Sequence, residues 1–431
     1  MQSLGASLKG TNPLLLLFAK NRSTVFVWFT WVAIFISISY LNTSHNPTRK
    51  VPALDRKAFT AFIIVINLTS LVIMNSPRVT GAQSVASQSL MSSGTINQLS
   101  LIGRGVNYNP RRMYDVTNET LNRDFSRFQK DGINVISLSL YWYRLEGNRR
   151  GDYNGYLADG IPYGDPFLNH VKRFIEIADQ YKLKVIVSFH TGWKETGNEW
   201  FTPDYVVDDT GSNTHVAVVK DENFKQAFLD MVNHTVTYLK NEHIFAWGLL
   251  NEPWGIQYTE SFINLIQRES ALVKLITGKP VTVRFVCSNT WTSTVDGKNY
   301  MSNHFIQLWN WDQRIFDSLD FISLNTYIKY PELYDTWLNI TRDDVNGIIQ
   351  RGKSVFITEF GFQSDDDVLQ AYYYKKTLDA LDTMKISGWQ AWSWEQYDLH
   401  DLGKSWNILK DAQGTPRPAY DEMVKHFPQG S

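Results

Sequence analysis

The chain has 431 residues and a single cysteine, Cys287, so no disulfide can close within it and a cysteine-based zinc site has no second ligand. Neither sign of charge is in excess: 42 Lys and Arg stand against 43 Asp and Glu, a formal net of −1. So balanced a chain has no basic stripe to track phosphates, which removes the usual electrostatic case for a nucleic-acid partner. There is no Gly-rich phosphate turn after the first strand-like run and no Gly-x-Ser-x-Gly elbow. His190 stands at a strand end without a second histidine or an aspartate at ligand spacing, so no metal constellation emerges.

Aromatic side chains are abundant: 14% of the residues, with 15 Trp, 21 Tyr and 24 Phe. Flat rings fill a large core, and they also cover the apolar faces of sugar rings, so their number points two ways.

Two uncharged apolar runs open the chain, Val25–Leu41 and Ala58–Met74, each flanked by Lys or Arg. Both read as membrane-type segments. The second also has the layout of a secretory signal, with Arg56-Lys57 before it and the small residues Thr80-Gly81-Ala82 before Gln83. Arg49, Lys50, Arg56 and Lys57 favour a cytoplasmic loop between the runs, which puts the rest of the chain outside the cell, anchored or released by cleavage. The organisation expected is 1–82 for the hydrophobic segments, 83–100 for a Ser-, Gln- and Gly-rich linker, and 101–431 for one main domain, read as a monomer.

From Leu101 short β-branched or aromatic runs alternate with amphipathic stretches. Strands are expected at Leu101–Asn107, Asn134–Leu140, Leu183–His190, Ile244–Asn251, Val281–Cys287, Asp320–Thr326, Ser354–Phe360 and Gly388–Trp394. Helices are expected at Thr120–Asp131, Asp165–Tyr181, Glu222–Asn241, Glu260–Ile276, Asp343–Arg351 and Val368–Lys385. Strand–helix alternation repeated in this way predicts an α/β fold, a (β/α)8 TIM barrel, whose chemistry sits at the C-terminal strand ends. Those ends carry Asn107, Tyr108, Tyr141, Trp142, His190, Asn251, Glu252, Asn289, Trp291, Asn325, Tyr327, Glu359, Trp392 and Trp394.

Glu252 ends the run FAWGLLNEPW and Glu359 ends VFITEF. A carboxylate finishing a buried strand is costly unless it has partners or a task. Two of them, on the fourth and seventh strands, face one another across a barrel mouth. That is the arrangement glycoside hydrolysis requires: one carboxyl protonates the leaving oxygen, the other attacks the anomeric carbon or activates water. A rim ion pair is the structural alternative. Asn251 is placed to hydrogen-bond a sugar hydroxyl, and Tyr327 to aim the second glutamate.

Asn-Glu-Pro ending the fourth strand and Thr-Glu-Phe-Gly ending the seventh resemble clan A glycoside hydrolases, above all glycoside hydrolase family 5, the cellulase family. The resemblance covers roughly 101–428 and implies a retaining mechanism with Glu252 as acid/base and Glu359 as nucleophile. It also implies His190 as a subsite histidine, Tyr327 beside the nucleophile, Trp392 as an aromatic platform, and no cofactor. The chain departs from the family in two places. Ser137 stands where the second strand usually carries an arginine that supports the nucleophile, with Arg104 as the expected substitute, and Asn325 stands where a histidine is usual. Trp142 and Trp291, with Trp193, Trp200, Trp254, Trp309 and Trp311, fall in loops and are expected in part to line a sugar cleft. The function expected is a retaining β-glycosidase on a β-1,4-linked polysaccharide. An endo-β-1,4-glucanase comes first and a mannanase, other β-glycanase or transglycosylase next; a non-catalytic carbohydrate-binding barrel is the reading from another class.

Overall fold

Runs such as VISLSLY and VFITEFGF are short, rich in β-branched residues and buried along nearly their whole length, as a parallel sheet covered by helices requires. The structure, a computed structural model, describes residues 103–108, 115–147, 150–157, 160–190, 221–253, 260–287, 292–295, 298–301, 312–328, 331–394, 406–409 and 413–427. Eight parallel strands form a closed barrel: β1 (Gly103–Asn107), β2 (Val135–Tyr141), β3 (Lys184–His190), β4 (Ile244–Asn251), β5 (Val281–Cys287), β6 (Ile322–Ile328), β7 (Val355–Phe362) and β8 (Gly388–Ala391). Each pairs with its neighbours in sequence, and β8 returns to pair with β1 through Gly103↔Gly388 and Val106↔Ala391. The helices among the described residues are α1 (Asn118–Lys130), α2 (Trp142–Glu146), α3 (Asp165–Gln180), α4 (Glu222–Tyr238), α5 (Glu260–Thr277), α6 (Gln313–Ser318), α7 (Tyr334–Gln350), α8 (Asp367–Leu381) and α9 (Pro418–Lys425).

Local chemistry sets several helix starts. Thr117, Asp221, Asp312 and Asp366 accept hydrogen bonds from the first free N–H groups of α1, α4, α6 and α8. Helix α7 begins at Tyr334, more than two turns before the expected Asp343, because Tyr334, Trp337 and Thr341 extend its buried stripe. Two antiparallel hairpins, Asn154–Tyr156 with Pro162–Gly164 and Thr292–Val295 with Lys298–Met301, were not foreseen.

The main core lies between strands and helices and includes Trp142, Trp247, Trp337, Trp389 and Trp394. A second, smaller cluster of Val135, Ile186, Ala246, Phe321 and Phe356 closes the barrel floor from inside. Two residues further along β2 and β3 the same inward face carries Ser137 and Ser188, so the interior turns polar above its apolar floor. Buried Thr282, Ser323 and Gln390 continue that change, and the site lies above them.

Both N-terminal apolar runs and the linker lie outside the described residues. Among the described residues no helix is long and apolar enough to cross a membrane.

Candidate active site at the barrel mouth

Glu359 sits inside β7 and is almost fully buried. A register shift between Leu324 and Asn325 on β6 sets Asn325 opposite Glu359, and the β7–β8 pairing also slips between Ile357 and Phe360. Such irregularities re-aim side chains at strand ends, and here they bring Thr358 and Glu359 to one network. The Arg284 guanidinium lies 2.5 Å from Glu359 Oε1, and the Tyr327 hydroxyl donates to Oε2. Burial pushes Glu359 up from its ordinary value, against the opposing pull of Arg284, Tyr327 and Asn325.

Arg284, at the centre of β5, is fully buried and was missed in the sequence. Its Nη2 also donates to Asn107 Oδ1 at 2.7 Å and to the Thr358 carbonyl at 3.2 Å. Asn107 is fixed in turn, its amide donating to the carbonyls of Thr358 and Ala391. Arg104, the substitute expected for the absent second-strand arginine, does not reach the site: it is partly exposed and points to Asp382 at 3.5 Å. Ser137 instead donates to Gln390 Oε1 at 2.6 Å. The signal for Arg284 was present, since a single cation interrupts the apolar run VTVRFVC.

Glu252 follows β4 directly and has φ of +49°, a left-handed conformation costing a non-glycine residue about 1–2 kcal/mol. Its N–H donates to the Arg284 carbonyl at 2.8 Å, and its Oε1 accepts from Asn325 Nδ2 at 3.0 Å. Asn325 also donates to Asn251 Oδ1 at 3.3 Å, while its own Oδ1 accepts from Thr358 Oγ1 at 2.8 Å. The Asn251 amide nitrogen lies 2.8 Å from His190 Nε2. An amide nitrogen only donates, so Nε2 accepts and the neutral imidazole carries its proton on Nδ1. Asn325 is thus the link between the surroundings of the two glutamates.

Around this network stand aromatic rings. Tyr141 lies 5.2 Å from the His190 ring, and Trp406, which the sequence did not single out, meets Tyr327 edge-on at 5.0 Å. A Cβ on Gly361 would come within 2.8 Å of the Trp392 carbonyl and 3.1 Å of the Trp406 ring, so glycine lets these segments meet. Trp392 is half-buried at the end of β8. Trp394 is buried against Phe128 and donates to Asp124 at 3.0 Å. Trp142 does not face a cleft either: it is fully buried, packs on Phe228 and donates to Glu146 at 2.6 Å. Trp291, Trp193, Trp200, Trp254, Trp309 and Trp311 lie outside the described residues. Asp366 caps α8 and Asp367 pairs with Arg417 at 2.6 Å, so both serve as helix-start residues. Among the described residues no His, Cys, Asp and Glu side chains gather into a group that could hold a metal ion.

Residues 100–398 match the protein family described as Cellulase (glycosyl hydrolase family 5). The probable mannan endo-1,4-beta-mannosidase A of Aspergillus clavatus is 22% identical over 256 residues, covering 58% of this chain and 66% of that protein. The chain therefore spans just under two thirds of the length of this relative. The solved endo-beta-1,4-mannanase of Thermotoga petrophila is 16% identical, with a TM-score of 0.57 over 77% of each chain. The endo-1,4-beta-mannanase of Rhizomucor miehei is 17% identical, with a TM-score of 0.53 over 75% of this chain and 95% of that one. These two likenesses bear on the fold.

Proposed function

Since the chain belongs to glycosyl hydrolase family 5 and is a glycoside hydrolase, we propose that it cleaves a β-1,4-linked polysaccharide by double displacement, with Glu359 as nucleophile and Glu252 as acid/base. The observation that carries the nucleophile's role is its setting: Glu359 faces a guanidinium and a phenol that stabilise a carboxylate. The Glu359 carboxylate attacks the anomeric carbon while the Glu252 carboxyl gives its proton to the glycosidic oxygen, and the leaving sugar departs as an alcohol. In the second half the Glu252 carboxylate takes a proton from water. That water's oxygen bonds to the anomeric carbon and Glu359 leaves again as a carboxylate.

Mannan is the first substrate to try, because the curated relative and both solved neighbours above carry mannan-directed names. The sequence placed glucan first, and the description of the matching family as Cellulase keeps it as the second reading. A non-catalytic sugar-binding barrel drew its support from the absent second-strand arginine, and Arg284 supplies that charge. The apolar runs Val25–Leu41 and Ala58–Met74 support a location outside the cell, anchored to the membrane or released after cleavage near Gln83.

The test uses the full chain as wild type, Glu359→Gln and Glu252→Gln, assayed for reducing ends from mannan, carboxymethylcellulose, xylan and mixed-linkage glucan. Wild type alone should turn over. Azide added to Glu359→Ala should give an α-glycosyl azide and to Glu252→Ala a β-glycosyl azide; the opposite pattern would reverse the two roles.

A further inference from the structure

Trp406 reaches the barrel mouth on a segment, 406–409, that lies outside the barrel's strands and helices, so its place must be set by other bonds. Two of them lay it along the residues after β8: the Ile408 N–H donates to the Ser393 carbonyl at 2.9 Å, and the Leu409 N–H to that of Trp394 at 3.0 Å. The rest come from Arg417, just before α9. Its side chain is buried and serves three acceptors at once. Nε donates to Asp367 Oδ1 at 2.6 Å, Nη1 to the Asn407 carbonyl at 3.2 Å and Nη2 to the Ser364 carbonyl at 2.7 Å. Its own N–H donates to the Ile408 carbonyl at 2.7 Å. Buried Gln370 on α8 adds bonds to the carbonyls of Phe362 at 3.2 Å and Asn407 at 3.5 Å. Phe362, Ser364 and Asp367 all lie on the stretch that carries the chain from Glu359 into α8. A rigid fork shared among three acceptors fixes position more sharply than a point charge does. The segment so held presses Trp406 edge-on against Tyr327 at 5.0 Å, and the Tyr327 hydroxyl donates to Glu359 Oε2.

We infer that Arg417 is a positioning residue, a buried latch that ties segment 406–409 to the stretch after β7, holds Trp406 against Tyr327 and so keeps the phenol aimed at Glu359. Its three side-chain bonds go to Asp367, Asn407 and Ser364, and it acts on the site through the indole. This role depends on Glu359 being the nucleophile, as proposed above.

The test is a set of double-variant cycles in the full chain, read as kcat/KM on 2,4-dinitrophenyl β-mannobioside and β-cellobioside. That leaving group needs no acid, so kcat/KM reports attack by Glu359. Arg417→Met and Trp406→Ala should each lower kcat/KM by roughly 10-fold, and the two together by no more than the larger single loss, as groups acting through one contact do. Arg417→Lys should lose less than Arg417→Met, since it keeps a charge for Asp367 without the three-way fork. In a Tyr327→Phe background, which has no hydroxyl to aim, Trp406→Ala should cost less than about twofold. Losses that multiply between Arg417→Met and Trp406→Ala would mean that Arg417 only holds the fold together, and would overturn the latch. A loss of roughly 10-fold from Trp406→Ala on top of Tyr327→Phe would overturn it too, because the indole would then act independently of the phenol hydroxyl. If Arg417→Met does not fold, the same cycle with Arg417→Lys decides: a shared loss supports the latch and a multiplied one overturns it. Turnover by Glu359→Gln would instead overturn the nucleophile assignment beneath it.

Discussion

Tyr327 shows how far one side chain governs this site. Burial and the facing carboxylates of Glu359 and Glu252 push its hydroxyl well above its ordinary value, so it stays a donor throughout the working range. Tyr327→Phe should lower kcat/KM by about 10- to 100-fold and move its acid limb upward, since one of the groups favouring ionised Glu359 is gone. The sign follows from Glu359 itself. It attacks only as a carboxylate and burial raises it above 4.5, so activity falls as pH drops through that raised value. A pH series of kcat/KM on a dinitrophenyl glycoside reads both effects, and an acid limb that Tyr327→Phe leaves in place would refute the assignment. Glu252, Glu359, Asn251, His190 and Tyr327 were legible because polar residues ending apolar runs break a simple pattern. The partner of Glu359 was not, because sequence spacing does not reveal which strand delivers a charge. Arg104 and Arg284 each lie in a strand, and three-dimensional register sends one to Asp382 and the other to Glu359. Trp142 misled for a related reason: an indole past a strand end can turn toward the helices as easily as toward the mouth.

At the scale of elements, the strands were legible to within a few residues because burial on both faces imposes a nearly continuous apolar run. The hairpins beyond β2 and β5 carry no such signature. Helix α1 holds the seam where the barrel closes. Its buried Asp124 accepts from the Tyr108 hydroxyl and from Trp394 Nε1, both at 3.0 Å, and Arg123 reaches it from the surface. Asp124→Ala should cost about 2–4 kcal/mol, because two buried donors lose their acceptor. Urea unfolding of wild type and variant measures it, and a cost under about 1 kcal/mol would mean that water replaces the carboxylate. Helix α5 has an opposite feature: Glu269 is fully buried with both oxygens unpartnered, and burial raises it well above its ordinary value. A carboxyl raised in the folded state contributes stability in full below the unfolded value near 4.5 and loses it as pH climbs through the folded value. Glu269→Met should therefore melt close to wild type at pH near 4. At alkaline pH it should melt higher, by roughly 2–4 °C per kcal/mol recovered. Equal melting shifts at both pH values would contradict a titrating Glu269.

For the molecule as a whole, the repeated strand–helix unit made the barrel readable, while location rests on runs outside the described residues. The sequons at Asn118, Asn233 and Asn339 give that location a readout, because all three asparagines are exposed on α1, α4 and α7. Full-length chain made in a secretory eukaryotic host should lose mass on treatment with an amide-cleaving glycosidase. Unmodified asparagines at all three positions would count against passage through the secretory lumen. The seam at Asp124 has a further consequence, for biosynthesis. Its partner Trp394 lies 270 residues away, and β1 meets β8 only when nearly the whole barrel has been made. Until then the emerging chain carries two unpaired strand edges and an open floor of apolar side chains, the surfaces on which incomplete proteins stick together. A message truncated between β7 and β8 should therefore yield material for chaperones and proteases, with no partly working enzyme. Closure of the ring makes completion of the chain a condition for solubility.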